Sequence, residues 1–286
     1  MVTPLIELRA LSYAYPDGSA GLSDCNLTLG SGLRHALLGA TGAGKSTLLQ
    51  HCNGLLRPRA GSVLWNGEPV NYGRAGMAAL RRHVGLVFQN PERQLFSAHV
   101  DEDVSFGPLN LGLDEATVRQ RVASALDLVG MREHARRPVH HLSFGQKKRV
   151  CIAGVLAMQP QVLLLDEPMA GLDAPMQLEL TALLDDLCMR GVTVVLSTHD
   201  IDFAVRWADQ IHLMAAGACI GSGPALSMAS RTDLLAAAGQ RAPLALMLHA
   251  ELAARGVLPP APVARSLDAL LDALRQSPFE ASGTIT

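Results

Sequence analysis

Five short stretches of this chain carry residue types that could handle a phosphate chain. The first is Gly39-Ala40-Thr41-Gly42-Ala43-Gly44-Lys45-Ser46-Thr47, which fits the spacing G-x-x-x-x-G-K-[ST]. Glycines let successive backbone N–H groups turn inward around a polyphosphate with no Cβ in the way. Lys45 carries a point charge toward the β- and γ-phosphates, and the Ser46 hydroxyl is a natural Mg²⁺ ligand. The second is the apolar run Val162–Leu165 closing on Asp166-Glu167. There Asp166 can hold Mg²⁺ through water, and Glu167 can orient and deprotonate an attacking water. Third, Ser143-Phe144-Gly145-Gln146 offers a hydroxyl and free backbone N–H groups to an anion, or simply caps a helix. Fourth, Gln89 follows a compact apolar run and can reach a metal and its water, or is only a polar strand end. Fifth, His199 follows Val192–Ser197, where an imidazole can bond a γ-phosphate or serve the fold alone.

These groups work only if strands and helices bring them together. Leu33–Leu38 reads as a buried strand entering the glycine loop, and Thr47–Cys52 as the helix leaving it, stopped at Asn53-Gly54. That places a helix N-terminus against the bound anion. Val84–Phe88, Val162–Leu165 and Val192–Ser197 are short continuous apolar runs that suit parallel strands buried on both faces. Ligands of open α/β sheets collect at the carboxyl ends of such strands. Leu5–Leu11 and Cys25–Leu29 alternate, with a turn over Tyr13–Gly18 between them, and Gly61–Gly67 reads as a strand with a hairpin turn. Together they predict an antiparallel sheet beside the nucleotide core.

From Ser97 to Gln159 the pattern turns helical. Asp114 caps a helix whose apolar positions are Val118, Val122, Leu126 and Val129, with Leu113 and Val118 at the ends of a hydrophobic staple. Ser143 and Gln146 have capping-box spacing and open the next helix, which runs to Met158. A helix over about 175–190 follows, and Gln210–Gly221 reads as a hairpin. After Gly223-Pro224 alanine and leucine dominate, with amphipathic stretches at about 231–238, 243–255 and 265–275. The expected organisation is an α/β nucleotide-binding domain over residues 1–224, with a helical subdomain at about 97–160. A small helical region follows over 225–279, and a disordered tail over 280–286.

The totals restrict the class. Lys and Arg number 24 against 26 Asp and Glu, which opposes nucleic-acid binding by a basic face. No stretch approaches ~18 uncharged apolar residues, so no membrane span is expected. The start, Met1-Val2-Thr3-Pro4, has no basic segment ahead of an apolar one, so no signal peptide is expected. Five scattered cysteines without C-x-x-C spacing read as free thiols. Hydrophobic residues make up 49% of the chain and its mean hydropathy is +0.20, which implies a large core or a partner covering apolar surface.

In this order, Gly39–Thr47, Gln89, Leu142–Gln146, Val162–Pro168, Ala170-Gly171-Leu172-Asp173 and His199 resemble the Walker A, Q-loop, signature, Walker B, D-loop and H-switch of an ABC ATPase. The resemblance spans roughly residues 4–224 and implies a P-loop ABC ATPase core with an antiparallel β-subdomain and an α-helical subdomain. It also implies ATP and Mg²⁺ as cofactors and an ATP site shared head to tail between two copies, or a copy and a paralogue. Lys45, Ser46 and Gln89 of one copy would face Ser143 and Gly145 of the other. Tyr15 matches the aromatic that stacks on adenine, better than Tyr13 does. Asp173 would communicate across the dimer. Two departures stand out: Phe144 at the third signature position, where glycine is commonest, and Ala170-Gly171 ahead of the D-loop Leu172-Asp173.

Gln89–Phe96 with Val100–Val104 and Phe106-Gly107-Pro108 is similar to the energy-coupling-factor ATPases, especially those of cobalt and nickel uptake. That likeness implies a peripheral protein on the cytoplasmic face of the inner membrane. It would dock on a transmembrane coupling protein near Gln94–Phe96, with a separate substrate-binding membrane component. The region after about 225 is similar to the extra C-terminal part of that group, which often helps the ATPases dimerise. A vitamin is the rival cargo. A soluble ABC protein of DNA repair or translation is the rival class, opposed by the short interval between Gly39 and Ser143 and by the lack of a second cassette. A GTPase switch is opposed by the lack of Asn-Lys-x-Asp.

Overall fold

The computed structural model describes residues 3–277. In chain order the elements begin with β1 (Pro4–Ala14), β2 (Ala20–Gly30), β3 (Arg34–Leu38), α1 (Lys45–Cys52), β4 (Ala60–Trp65), β5 (Glu68–Pro69), α2 (Arg74–His83) and β6 (Val84–Val87). Next come α3 (Val100–Asn110), α4 (Glu115–Leu128), α5 (Phe144–Leu156), β7 (Val162–Leu165), α6 (Ala174–Met189), β8 (Thr193–Thr198) and α7 (Ile201–Trp207). The chain continues through β9 (Gln210–Ala215), β10 (Ala218–Pro224), α8 (Ala225–Ala229), α9 (Thr232–Ala237), α10 (Leu244–Ala254) and α11 (Leu267–Gln276).

Two sheets face each other. One is antiparallel, in the order β2-β1-β4-β5; the other runs β10-β9-β3-β8-β7-β6. In the second sheet β9, β3, β8, β7 and β6 are mutually parallel, and β10 returns antiparallel on β9. Every residue of β6 and β7 is buried, as is every residue of β8, because helices cover one face and the antiparallel sheet the other. Leu37, Leu48, Leu49, Leu164 and Val195 pack between the two sheets with β1 and β2 residues such as Leu8 and Leu27. Leu163, Leu165, Val194 and Leu196 point the other way, into the helical side. Alternate strand residues thus feed two cores, and each fully buried leucine contributes roughly 1.5–3 kcal/mol.

The expected elements are present with shifted edges. β1 runs to Ala14, so Tyr13 and Ala14 belong to the strand, and the turn shrinks to about Pro16–Gly18. A bulge explains the spacing inside β1. Ala10 has φ +49° and its N–H donates to Asn26 Oδ1 at 2.8 Å, which lets Leu8 and Leu11, three apart, face the same core. Asp114 caps α4 through Thr117 N at 3.0 Å. Helices α2 and α7 were not expected from the sequence, and α8 falls in the expected helical region but ahead of its first amphipathic stretch at about 231. The C-terminal helices divide in their packing: Ala225, Met228, Leu235 and Ala238 sit in the helical-side core. Leu258, Ala264 and Leu270 form a separate small cluster with α10 and α11. α10 is less amphipathic than expected, since Leu244, Met247 and Leu248 stay exposed while Ala245 and His249 are buried. The tail expected over 280–286, and the last two residues of the 225–279 region, lie outside the described residues.

Candidate functional site

The glycine loop joins the end of β3 to α1 at the carboxyl edge of the parallel sheet. Close packing dictates two of its glycines. A Cβ on Gly39 would lie 2.4 Å from Met214 O, and one on Gly44, at φ +99°, would lie 2.7 Å from Gly21 O. At those two positions there is room for backbone alone, whereas Gly42 faces open space at φ +82°. The loop leads into the N-terminus of α1, whose first N–H groups have no helical partners. Lys45 is buried and its Nζ donates to Gly39 O at 2.7 Å and Ala40 O at 3.1 Å. Tyr15, half-buried, shares a hydrogen bond between its hydroxyl and Thr47 Oγ1 at 2.8 Å and meets Tyr13 edge to face. The aromatic expected at the adenine thus stands beside the loop.

Strands β3, β8 and β7 are neighbours, and their ends deliver the rest of the cluster. Asp166 follows β7 and is buried at 8% exposure. Its Oδ1 accepts from Ser197 Oγ at 2.7 Å. Glu167 comes next, with its Oε1 3.8 Å from Lys45 Nζ and its Oε2 2.9 Å from His199 Nδ1. Lys45, Asp166, Glu167 and His199 therefore lie together at these strand ends. Such a set can hold a phosphate chain, bind a cation through hard oxygens, and abstract a proton from water.

Two residues of this centre escaped the sequence reading. Ser197, inside β8, donates to Asp166 and also accepts the Glu167 N–H at 2.8 Å, so one hydroxyl sets both acids. Lys148, on α5, is buried, and its Nζ donates to Glu167 O at 3.2 Å and Ala170 O at 2.8 Å. Burial pushes its ammonium down to about 8. The Ser197 signal, a hydroxyl ending an apolar strand, was visible; that of Lys148 was masked by the basic run Lys147-Lys148-Arg149.

Other expected site residues stand outside this hydrogen-bonded cluster. Gln89 is exposed just beyond β6, two residues past Val87, whose carbonyl accepts from Asp166 N at 3.0 Å. Ser143 is exposed and caps α5: its Oγ accepts from Gln146 N at 3.3 Å and its N–H donates to Gln146 Oε1 at 3.0 Å. The expected capping box is present, with Gly145 buried against Met176 and Leu172. Asp173 is exposed and caps α6 through Met176 N at 3.0 Å.

Beside the end of β6 an apolar groove of about 460 Å³ opens between the sheet and the helical side. Leu55, Phe88, Leu95, Phe96, Phe106 and Met158 line it. Gln94 builds its wall, accepting from Phe88 N and donating to Cys151 O, both at 3.1 Å. Phe96 is 64% exposed and meets Phe106 edge to face at 4.7 Å.

A parallel sheet that gathers a phosphate loop, two acids and a histidine at one edge, with a helical layer opened by Ser143, defines a P-loop ATPase of the two-subdomain kind. Comparison with known proteins gives the family. The family model described as ABC transporter matches residues 22–170. The cobalt import ATP-binding protein CbiO of Rhodobacter capsulatus is 46% identical over 270 residues, covering 94% of this chain and 96% of that protein. The energy-coupling factor transporter ATP-binding protein EcfA of Methanothermobacter thermautotrophicus is 46% identical over 239 residues, 84% of this chain and 77% of its own. Among solved structures, cbiO1 of Clostridium perfringens, described as part of the ABC transporter complex cbiONQ, matches with TM-score 0.73 and 42% identity over 82% of this chain and 94% of that one. The ATP-binding cassette MJ0796, solved as a dimer in a post-hydrolysis state with ADP and Pi, matches with TM-score 0.70 and 27% identity over 77% of this chain and 99% of that one. This chain belongs to the ABC transporter family, as an ATP-binding subunit of the energy-coupling-factor type. It binds nucleotide and hydrolyses ATP to drive transport, as expected from its motifs.

Proposed function

We propose that this chain powers an importer of cobalt or nickel ions, as one half of a head-to-tail ATPase dimer docked on a transmembrane coupling protein. The observation that carries the catalytic part is the meeting of Lys45, Glu167 and His199 at adjacent strand ends. Glu167 is the general base that takes a proton from the attacking water. His199 holds Glu167 and reaches the γ-phosphate, and Lys45 neutralises the β- and γ-phosphates. The loop N–H groups from Thr41 to Thr47 cradle the phosphates, and Tyr15 stacks on the adenine.

The donor set suits Mg²⁺. Ser46, Asp166 and Gln89 offer hard oxygens, and among the described residues no basic side chain forms an ion pair with the buried Asp166. When bound there, the ion supplies positive charge to the β- and γ-phosphate oxygens.

Ser143, Gly145 and Gln146 serve the partner copy's nucleotide, and Asp173 reaches across the dimer. Their separation from this copy's cluster supports that arrangement, as does the dimeric relative with ADP and Pi. The exposed groove around Phe96 receives the coupling protein at the membrane, on the cytoplasmic face. No helix among the described residues is long and apolar enough to cross a membrane, so the path for the ion belongs to the partners, including a separate membrane component that binds the substrate. We divide the chain functionally into residues 1–224, with a helical subdomain at about 97–160, and a C-terminal region from 225 whose exposed leucines assist dimerisation. The cargo follows the cobalt import relative, which matches nearly the whole chain; a vitamin is the second reading, carried over from the resemblance to energy-coupling-factor ATPases.

The test is uptake of labelled cobalt, nickel and vitamins by the complex reconstituted with its operon partners. ATP-dependent uptake of cobalt or nickel is expected. Vitamin uptake without metal uptake overturns the cargo, and a protein that brings down no membrane partner overturns the importer.

A further inference from the structure

Glu167 has a left-handed backbone, φ +46°. A residue with a Cβ is strained there unless its surroundings hold it. Two groups from different elements hold its peptide units. Ser197 Oγ on β8 accepts from Glu167 N at 2.8 Å, and Lys148 Nζ on α5 donates to Glu167 O at 3.2 Å and to Ala170 O at 2.8 Å.

The lysine is an expensive way to make that contact. It is 2% exposed, and a buried ammonium loses its hydration, a cost that two carbonyls and one ring offset only in part. The ring is Phe144, one helical turn earlier on α5, with its centre 5.4 Å from Nζ. The same ring closes on the next part of the segment, for a Cβ on Gly171 would lie 2.9 Å from Phe144 Cε1. Phe144 and Lys148 thus grip Glu167–Gly171 from one helix face. A methionine or leucine would fill the space at less cost, so packing does not call for the charge.

We propose that Lys148 is a positioning residue for ATP hydrolysis: its ammonium, bonded to the Glu167 and Ala170 carbonyls, locks the left-handed turn that aims the Glu167 carboxylate at the attacking water. This inference rests on Glu167 being the base. It also gives Phe144 a purpose at the third signature position, as the lid over that ammonium.

The experiment compares Lys148→Met, which keeps most of the length and removes the donor, with Lys148→Gln, which keeps a shorter donor, in the full-length ATPase. Lys148→Met should bind ATP within about three-fold of the parent and keep its KM, while kcat falls about 10- to 100-fold, the scale of a misplaced catalytic group. Lys148→Gln should recover part of kcat. Lys148→Met placed on Glu167→Gln should add little further loss, since the group it aims is already gone. An unchanged kcat in Lys148→Met overturns the proposal. So does a parallel loss of ATP affinity, or an equal further loss on Glu167→Gln. If Lys148→Met does not fold, Lys148→Gln must show the kcat loss with intact KM by itself, or the proposal fails. Wild-type turnover in Glu167→Gln is a different result, and it sinks the base reading instead.

Discussion

At the residue scale, chemistry concentrates on Glu167, and its environment makes two sharp predictions. Glu167→Gln keeps the shape and the phosphate loop but removes the proposed base. Equilibrium binding should show ATP affinity retained, and steady-state assays a kcat lower by about 10²–10⁴-fold. Ser197→Ala strips one hydroxyl from both acids, leaving the Glu167 N–H and Asp166 Oδ1 without that partner. Unfolding by denaturant should show a loss of about 1–3 kcal/mol, the cost of orphaned buried polar groups, and kcat should drop with KM little changed. The acids, Lys45 and His199 were legible because their types follow apolar strands in a fixed order. Lys148 was not, since three basic residues in succession look alike in a sequence. On a helix they point about 100° apart: Lys147 pairs with exposed Glu92, Arg149 with Glu179, and Lys148 alone turns inward.

At the scale of elements, β3 and β9 conceal a polar pair. His35 Nδ1 and His212 Nε2 lie 2.9 Å apart in a buried stack, and His212 Nδ1 meets Ser222 Oγ at 2.7 Å. Burial, then the neighbouring His35, pushes His212 from 6.5 down to about 3, and burial lowers His35 as well. Between those values the unfolded chain binds a proton that the folded His212 refuses. Stability is therefore fully present above pH 6.5 and is lost as pH falls toward 3, at up to ~1.4 kcal/mol per pH unit from this one residue. His212→Gln should flatten the fall of Tm between pH 7 and pH 5, measured by calorimetry; an unaltered slope would refute the role of this pair. Helix α2 was missed because its apolar face is short: Leu80 is its one buried residue, with Met77 one turn earlier packed beside the same core. The buried strands β6, β7 and β8 were legible because sheets covered on both faces demand unbroken apolar runs.

At the scale of the whole molecule, the working unit is larger than the chain. In the proposed dimer, Ser143→Arg places a large cation where the partner's phosphates meet the signature. ATPase turnover should fall to near background while the separate chain still binds ATP, as titration with a fluorescent nucleotide would reveal. Phe96→Asp puts a charge in the apolar groove. Co-purification with the coupling protein should be lost, whereas ATP binding by the separate subunit persists. The order and types of the phosphate-handling residues were set by sequence alone, because spacing on strands and loops fixes which groups can reach one sheet edge. So was the α/β class, because the period of apolar residues follows the backbone geometry. Tertiary structure alone decided that Ser197 serves two acids, that Lys148 is buried under Phe144, and that α8 and α9 join the main core while α10 and α11 gather about their own. Each of these depends on contacts between segments far apart in the chain, and no local pattern encodes which distant neighbour a side chain will meet.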